Sequence, residues 1–281
     1  MKETFKKIIK EFHENPLPEL KKRDYNILES EEISVLVGLR RVGKTYLMFQ
    51  KIKELLNSGI EIHRIIFLNF EDERLNNLKT EDLDKLLEAY YELYHENVSK
   101  LIYLFFDEIH AAPNWSLFLK RLYEKKQYII FVSGSSSKLL SSEIATELRG
   151  RTITRKIYPL SFIEFLRFKE FEYDKNIKFS KDRFAIKKLF DEFLVYGGYP
   201  AVSKYKDKIE KESTISSYLE LMIYKDLVER YKIRNTILLK SLIKYFVTNT
   251  AKTISINSFY ESIKNEMNAS KDAVWEYFSY L

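Results

Sequence analysis

An apolar run at residues 33–37 leads directly into Gly38-Leu39-Arg40-Arg41-Val42-Gly43-Lys44-Thr45, and helical periodicity follows over residues 46–56. The pattern G-x-x-x-x-G-K-[ST] between a buried strand and a helix admits few folds, because its parts act only together. The glycines let backbone N–H groups curl around phosphate oxygens, and the helix N-terminus adds its partial positive charge. Lys44 brings a full charge to the β- and γ-phosphates, and Thr45 offers a hydroxyl to Mg²⁺. Gly38, Leu39, Arg40, Arg41, Val42, Gly43, Lys44, Thr45 and Tyr46 are therefore the expected nucleotide-binding stretch.

The surrounding pattern agrees. Residues 33–37, 64–70, 101–106 and 128–132 are apolar, β-branched or aromatic runs, each followed by helical spacing at 44–56, 81–94, 116–124 and 138–148. A fifth run, 152–158, ends at Pro159. Strand and helix in alternation predict an α/β domain with a parallel sheet, and near-continuous apolarity in the strands fits a sheet covered on both faces. Beyond Pro159 amphipathic helices dominate, over 161–168, 183–196 and 209–231. Gly197-Gly198-Tyr199-Pro200 is a helix stop between two of them. From Thr236 three short helices are expected; Ser258 with Glu261 reads as a capping box for the second, and Ser270 as the cap of the third.

Leu101-Ile102-Tyr103-Leu104-Phe105-Phe106-Asp107-Glu108 supplies the partner of the phosphate loop, an apolar strand ending in two acids. Asp107 is expected to hold Mg²⁺, and Glu108 to act as general base on the attacking water. The next strand ends in Ser133-Gly134-Ser135-Ser136-Ser137, where Ser133 or Ser135 is placed to sense the γ-phosphate through that water. No N/T-K-x-D tetrapeptide for guanine and no LSGG-type signature occurs, so ATP is the expected nucleotide. Residues His13, His63, His95 and His110 show no metal-ligand spacing; His110, two residues after Glu108, reads either as a neighbour of the nucleotide or, in preference, as a turn residue.

Composition narrows the remaining classes. Among 281 residues, 45% are hydrophobic, with 20 Phe and 20 Tyr, which is ample core and excludes a disordered or low-complexity chain. Cysteine is absent, so no disulfide framework, thiolate nucleophile or zinc–cysteine site is open to it. No run approaches the ~20 apolar residues of a membrane helix, and the Lys- and Glu-rich N-terminus lacks a signal-peptide core. A cytoplasmic protein without membrane contact is expected. The net charge of +6 is compatible with a polyanionic partner.

The succession GLRRVGKT, NFED (69–72), FFDEIH (105–110), SGSSSKLLSSEIATELRGRT (133–152), YPLSFIEFL (158–166) and YGGYP (196–200) resembles the archaeal and bacterial P-loop ATPases of the AAA-14 type, often followed by a DUF4143 region. The resemblance spans about residues 20–235. It implies an ASCE-type, AAA+-like core over residues 1–160, with residues 1–30 as a helical lead-in. It further implies a helical lid over 161–232 and a helical, winged-helix-like module over 233–281, which suits DNA binding through its last helix. Members commonly run longer, so a module truncated at Leu281 is expected. Arg149 and Arg151 lie where a neighbouring subunit's arginine finger sits in oligomeric AAA+ ATPases, which implies a homo-oligomer with the arginine acting in trans. The expected activity is Mg-dependent hydrolysis of ATP to ADP and phosphate, coupled to movement of the lid and C-terminal module. The alternative is an ATP-gated switch or DNA-binding regulator with negligible turnover.

Overall fold

The computed structural model describes residues 1–135, 147–172, 182–265, 267 and 269–281. Its contacts divide it into two compact units, Met1–Ser213 and Thr214–Leu281. The expected helix at 138–148, all but its last two residues, lies outside the described residues, as do Ser136 and Ser137.

The first unit is built on strands β1 (Ile33–Gly38), β2 (Ile65–Asn69), β3 (Ile102–Asp107), β4 (Tyr128–Ser135) and β5 (Thr152–Ile157). They form a parallel sheet in the order β2-β3-β4-β1-β5. This is the α/β AAA+ fold. Every residue of β1 and β3 is buried, because helices cover both faces, and the period-2 alternation of the strands divides their side chains between two cores. Ile33, Val35, Val37, Ile102, Leu104 and Phe106 enter one core, together with residues of helices α1 (Lys2–Glu14), α3 (Asp82–Leu93) and α4 (Trp115–Glu124). Leu36, Tyr103, Phe105 and Phe131 face the other, under helix α2 (Lys44–Asn57). Register partners Phe105 and Phe131 stack there with centroids 4.5 Å apart.

Parallel pairing places the C-terminal ends of β1, β3 and β4 together, and between the neighbours β1 and β4 the connections part, β1 leading to β2 on one side of the sheet and β4 to β5 on the other. A crevice outside the strand ends at such a point is where ligands bind in open α/β sheets.

After β5 come α5 (Phe162–Phe168), α6 (Arg183–Tyr196), α7 (Pro200–Lys204) and α8 (Lys208–Leu221). Ser161 caps α5 in a full capping box with Glu164, a Ser-x-x-Glu pattern in the chain. Gly197 ends α6 at φ 72°, and Pro200 opens α7. Gly198 explains why the second position of that turn lacks a side chain: Leu160 N–H donates to its carbonyl at 2.7 Å. A Cβ on Gly198 would stand 2.3 Å from Leu160 O. These close backbone contacts tie the segment after Pro159 into the first compact unit, which ends at Ser213.

In the second unit a π-helical stretch, Met222–Val228, continues into Glu229–Tyr231, followed by α9 (Thr236–Thr248), α10 (Ile256–Ile263) and α11 (Lys271–Tyr280). Leu238, Leu239, Leu242, Phe259, Val274 and Tyr277 form its core. Ser270 caps α11 as expected, but Ser255 caps α10, its hydroxyl accepting from Ser258 N–H. Ser258 already lies within the first turn, so the expected Ser258–Glu261 box does not form. Among its described residues this unit holds helices and no strand, so a winged helix's β-wing is not seen there. No helix among the described residues is long and apolar enough to cross a membrane.

Candidate active site

The loop from Gly38 to Lys44 leaves the buried end of β1 and turns into α2. Two left-handed residues make the turn, Arg41 at φ 66° and Gly43 at φ 96°. Gly38 cannot bear a side chain, since a Cβ there would lie 2.3 Å from Ile157 O on the neighbouring strand. Val42 is buried under the loop, whereas Leu39, Arg41 and Tyr46 are exposed along its rim.

Lys44 folds back into the loop. Its Nζ donates to the carbonyls of Gly38 and Leu39, each at 3.2 Å, and the residue is 5% exposed. It also lies 3.6 Å from Oε1 of Glu108. Thr45, the next residue, donates its hydroxyl to Asp107 Oδ2 at 2.7 Å. Lys44, Thr45, Asp107 and Glu108 are thus brought to one place by the ends of β1 and β3.

Ser133, fully buried on β4, completes the group. Its hydroxyl donates to Asp107 Oδ1 and accepts the Glu108 N–H at 3.2 Å. Both hydrogen bonds go to the acidic pair, so the serine holds the carboxylate of Asp107 and the backbone of Glu108. Glu108 itself sits at φ 49°, just past the strand, where the chain turns sharply. Burial pushes its carboxyl above the ordinary carboxylate range, Asp107 and Glu71 add to the push, and Lys44 and Arg40 oppose it.

Three further residues stand beside this group. His110, in the single turn Ile109–Ala111 that follows Glu108, is 4% exposed at its side chain, with Nδ1 3.3 Å from Glu108 Oε2. Glu71, two residues past β2, lies 3.4 Å from Arg40 Nη1. Glu71, Glu108 and His110 offer ligand atoms within 4.8 Å of one another. The third is Arg23, which carries no motif and is 3% exposed, with its Nη1 donating to Val42 O. Register pairing of Asn69 with Asp107 shows why NFED and FFDEIH meet. It is a long-range pairing that spacing alone does not reveal.

Arg149 and Arg151 lie elsewhere. They precede β5, and Ile33 N–H donates to Arg151 O at 2.8 Å, at the far end of β1 from Gly38. Arg151 Nη2 stands 3.7 Å from Glu124 Oε1 and its guanidinium over the Tyr123 ring. Arg149 is exposed. The length of β1 separates both from the loop of their own chain.

The donor set fits a magnesium nucleotide. A hydroxyl and a carboxylate, both hard oxygen donors, converge from Thr45 and Asp107, and a buried ammonium stands beside them within a loop of backbone amides.

A family model for AAA domains, AAA_14, matches residues 30–166, and a domain of unknown function, DUF8612, matches residues 187–281, where the resemblance implied a DUF4143 region. An uncharacterized protein of Methanocaldococcus jannaschii is 38% identical over 262 residues, covering 92% of this chain and 56% of its own. An uncharacterized protein of Haemophilus influenzae is 30% identical over 239 residues, covering 85% of this chain and 56% of its own. The chain spans about half the length of the curated relatives it matches. Among solved structures, C. elegans PCH-2 is similar at a TM-score of 0.44 and 14% identity, covering 80% of this chain and 67% of that one. A Thermotoga maritima RuvB variant is similar at 0.41 and 17%, covering 89% and 79%.

Proposed function

Because residues 30–166 belong to the AAA_14 family of AAA domains, we propose that this P-loop NTPase domain binds Mg-ATP and hydrolyses it to ADP and phosphate. The observation that carries this reading is the meeting of Lys44, Thr45, Asp107 and Glu108 at the ends of β1 and β3. A phosphate loop needs only the first two. The second acid serves hydrolysis, because a carboxylate beside the metal acid can take the proton of an attacking water.

In this reading the amides of residues 39–45 and the Lys44 ammonium receive the β- and γ-phosphates. Thr45 and Asp107 would hold Mg²⁺, which neutralises phosphate charge when bound. Glu108 orients the water and accepts its proton; a carboxyl raised by burial is a stronger base than an ordinary one. Ser133 acts as a positioning residue, fixing Asp107 and the Glu108 backbone. Arg149 or Arg151, too far to act in its own chain, would complete the site of a neighbouring copy. Nucleotide state is then coupled to the helices after β5, and along α8 to the second unit.

A second reading, an ATP-gated switch, is favoured by the Lys44–Glu108 ion pair, which holds the base away from a water. Steady-state ATP hydrolysis against protein concentration, with and without DNA and with Glu108→Gln as control, separates the two. Turnover abolished by Glu108→Gln supports the ATPase. Tight Mg-ATP binding with no turnover under any of these conditions overturns it in favour of the switch.

A further inference from the structure

Arg23 lies in the extended segment between α1 and β1, and its guanidinium gathers three separate parts of the first unit. Nη1 donates to Val42 O at 2.8 Å, inside the phosphate loop. Nη2 donates to Tyr158 O at 3.0 Å, just past β5. Nε and Nη2 reach Glu164 Oε1 and Oε2 at 2.8 and 3.3 Å. Both side chains are 4% exposed. Glu164 is held in turn by the backbone N–H groups of Asp24 and Ser161, at 2.8 and 2.9 Å.

We propose that Arg23 is a positioning residue for nucleotide binding, which presets the Val42–Gly43 peptide so that the Gly43 N–H faces the bound phosphate, and that Glu164 links this setting to the helix after β5. The proposal rests on the nucleotide-binding reading above. The described chain has no cis peptide bond, and in a trans peptide the C=O and N–H point opposite ways. Anchoring the Val42 carbonyl on Arg23 therefore directs the Gly43 N–H away from Arg23. Gly43 sits at φ 96°, a conformation in which glycine imposes little barrier of its own, so the peptide plane needs an outside anchor. A charge-assisted hydrogen bond from a buried guanidinium is such an anchor.

The geometry also specifies arginine. One planar fork serves a loop carbonyl, a second carbonyl and a carboxylate in fixed directions, which a lysine's single point of charge does not reproduce. Glu164 belongs to the capping box of α5, so the loop peptide and the start of that helix share one ion pair. Displacement of either is felt by the other.

The test compares wild type, Arg23→Lys and the double variant Arg23→Met with Glu164→Leu in the full chain. The double variant removes both charges together, so that neither is left buried and unpaired, although it also takes the Glu164 side chain from the α5 capping box, and it guards against Arg23→Lys failing to fold. Folding is checked by circular dichroism, Mg-ATP affinity by titration calorimetry, and KM and kcat separately. Folded variants are expected to bind Mg-ATP about tenfold more weakly, the effect of losing one charged hydrogen bond, with KM raised more than kcat is lowered. Wild-type affinity in the folded variants overturns the proposal, because a purely structural ion pair would not touch binding. Wild-type protein that binds no Mg-ATP, or binds it unchanged after Lys44→Ala, overturns the nucleotide reading itself and the proposal with it.

Discussion

Nζ of Lys44 stands 3.6 Å from Oε1 of Glu108, with the two side chains 4% and 14% exposed. The loop lysine and the acid after β3 neutralise one another across the cradle, which gives their variants different signatures. Lys44→Ala removes the charge that phosphate needs, so Mg-ATP binding and hydrolysis both fall. Glu108→Gln keeps binding, and strengthens it to the extent that Lys44 is released. Hydrolysis then falls by about 10²–10⁴-fold, the usual worth of a general base. Calorimetry beside steady-state kinetics checks this, and equal loss of binding in both variants would contradict the assigned roles.

Ser133 gives the next prediction. Its hydroxyl satisfies a buried carboxylate oxygen and a buried N–H at once. Ser133→Ala leaves both without that partner, at a cost of about 1–3 kcal/mol in stability. Because the serine holds the acids, kcat should fall with KM little changed. Denaturant unfolding and kinetics read the two effects separately, and an altered KM with unaltered kcat would assign Ser133 to the nucleotide instead.

Much of the site is legible in the chain because its signals are local. Gly38, Gly43, Lys44 and Thr45 sit in one contiguous turn between strand and helix, and Asp107 and Glu108 end an apolar run. The β-strands read well for the same reason: burial on both faces makes each a continuous apolar stretch. The roles of Arg23, Glu71 and Glu164 were not legible in the same way. Their roles come from pairings across 141 residues in one case and 31 in another, and a lone charged residue in a Lys- and Glu-rich chain reads as surface. Glu164 had a local signal in Ser161-x-x-Glu, but the same logic at Ser258 and Glu261 named a box that does not form. A capping pattern shows a helix start only when the residue before it leaves the helical conformation.

Gly198 and Gly59 separate close approach from backbone conformation. A Cβ at Gly198 would meet Leu160 O at 2.3 Å, whereas one at Gly59 would meet nothing within 4 Å and only oppose φ 92°. Gly59→Ala should cost about 1 kcal/mol. Gly198→Ala forces two backbones apart in the first unit and should cost about 2–3 kcal/mol. Chemical denaturation of both variants tests the order, and equal losses would remove the close-packing account of the Gly-Gly-Tyr-Pro turn.

His13 makes stability depend on pH. Its Nε2 donates to Ile65 O at 2.8 Å, so Nδ1 is the acceptor for the Tyr94 hydroxyl at 2.8 Å. Burial holds its pKa below the usual value; the Ile65 carbonyl and Glu14 oppose this, and His63 and Lys10 add to it. The unfolded chain protonates near pH ~6.5 while the folded imidazole stays neutral to lower pH, so the unfolded state binds more protons across that window. The contribution is complete above pH ~6.5 and is lost as pH falls through the folded pKa. His13→Gln, which can still donate and accept, should flatten the melting temperature between pH ~7 and ~5. An unchanged slope would show that other groups set it.

Arg151 lies beside Ile33 and the phosphate loop begins at Gly38, so the length of β1 stands between them, roughly 17 Å at the rise of a parallel strand. An arginine finger at Arg149 or Arg151 must therefore come from another copy. If so, hydrolysis per subunit rises with protein concentration. Arg149→Ala or Arg151→Ala lowers turnover by about 10³-fold or more while Mg-ATP binding persists. Mixing supplies the sharper measurement. The inactive arginine variant retains Glu108, and the inactive Glu108→Gln variant retains the arginine, so a mixed assembly contains sites with both. Activity regained on mixing establishes action in trans. Rates flat with concentration, together with mixtures as inactive as their components, would leave Arg149 and Arg151 as surface residues at the base of β5, one of them paired with Glu124.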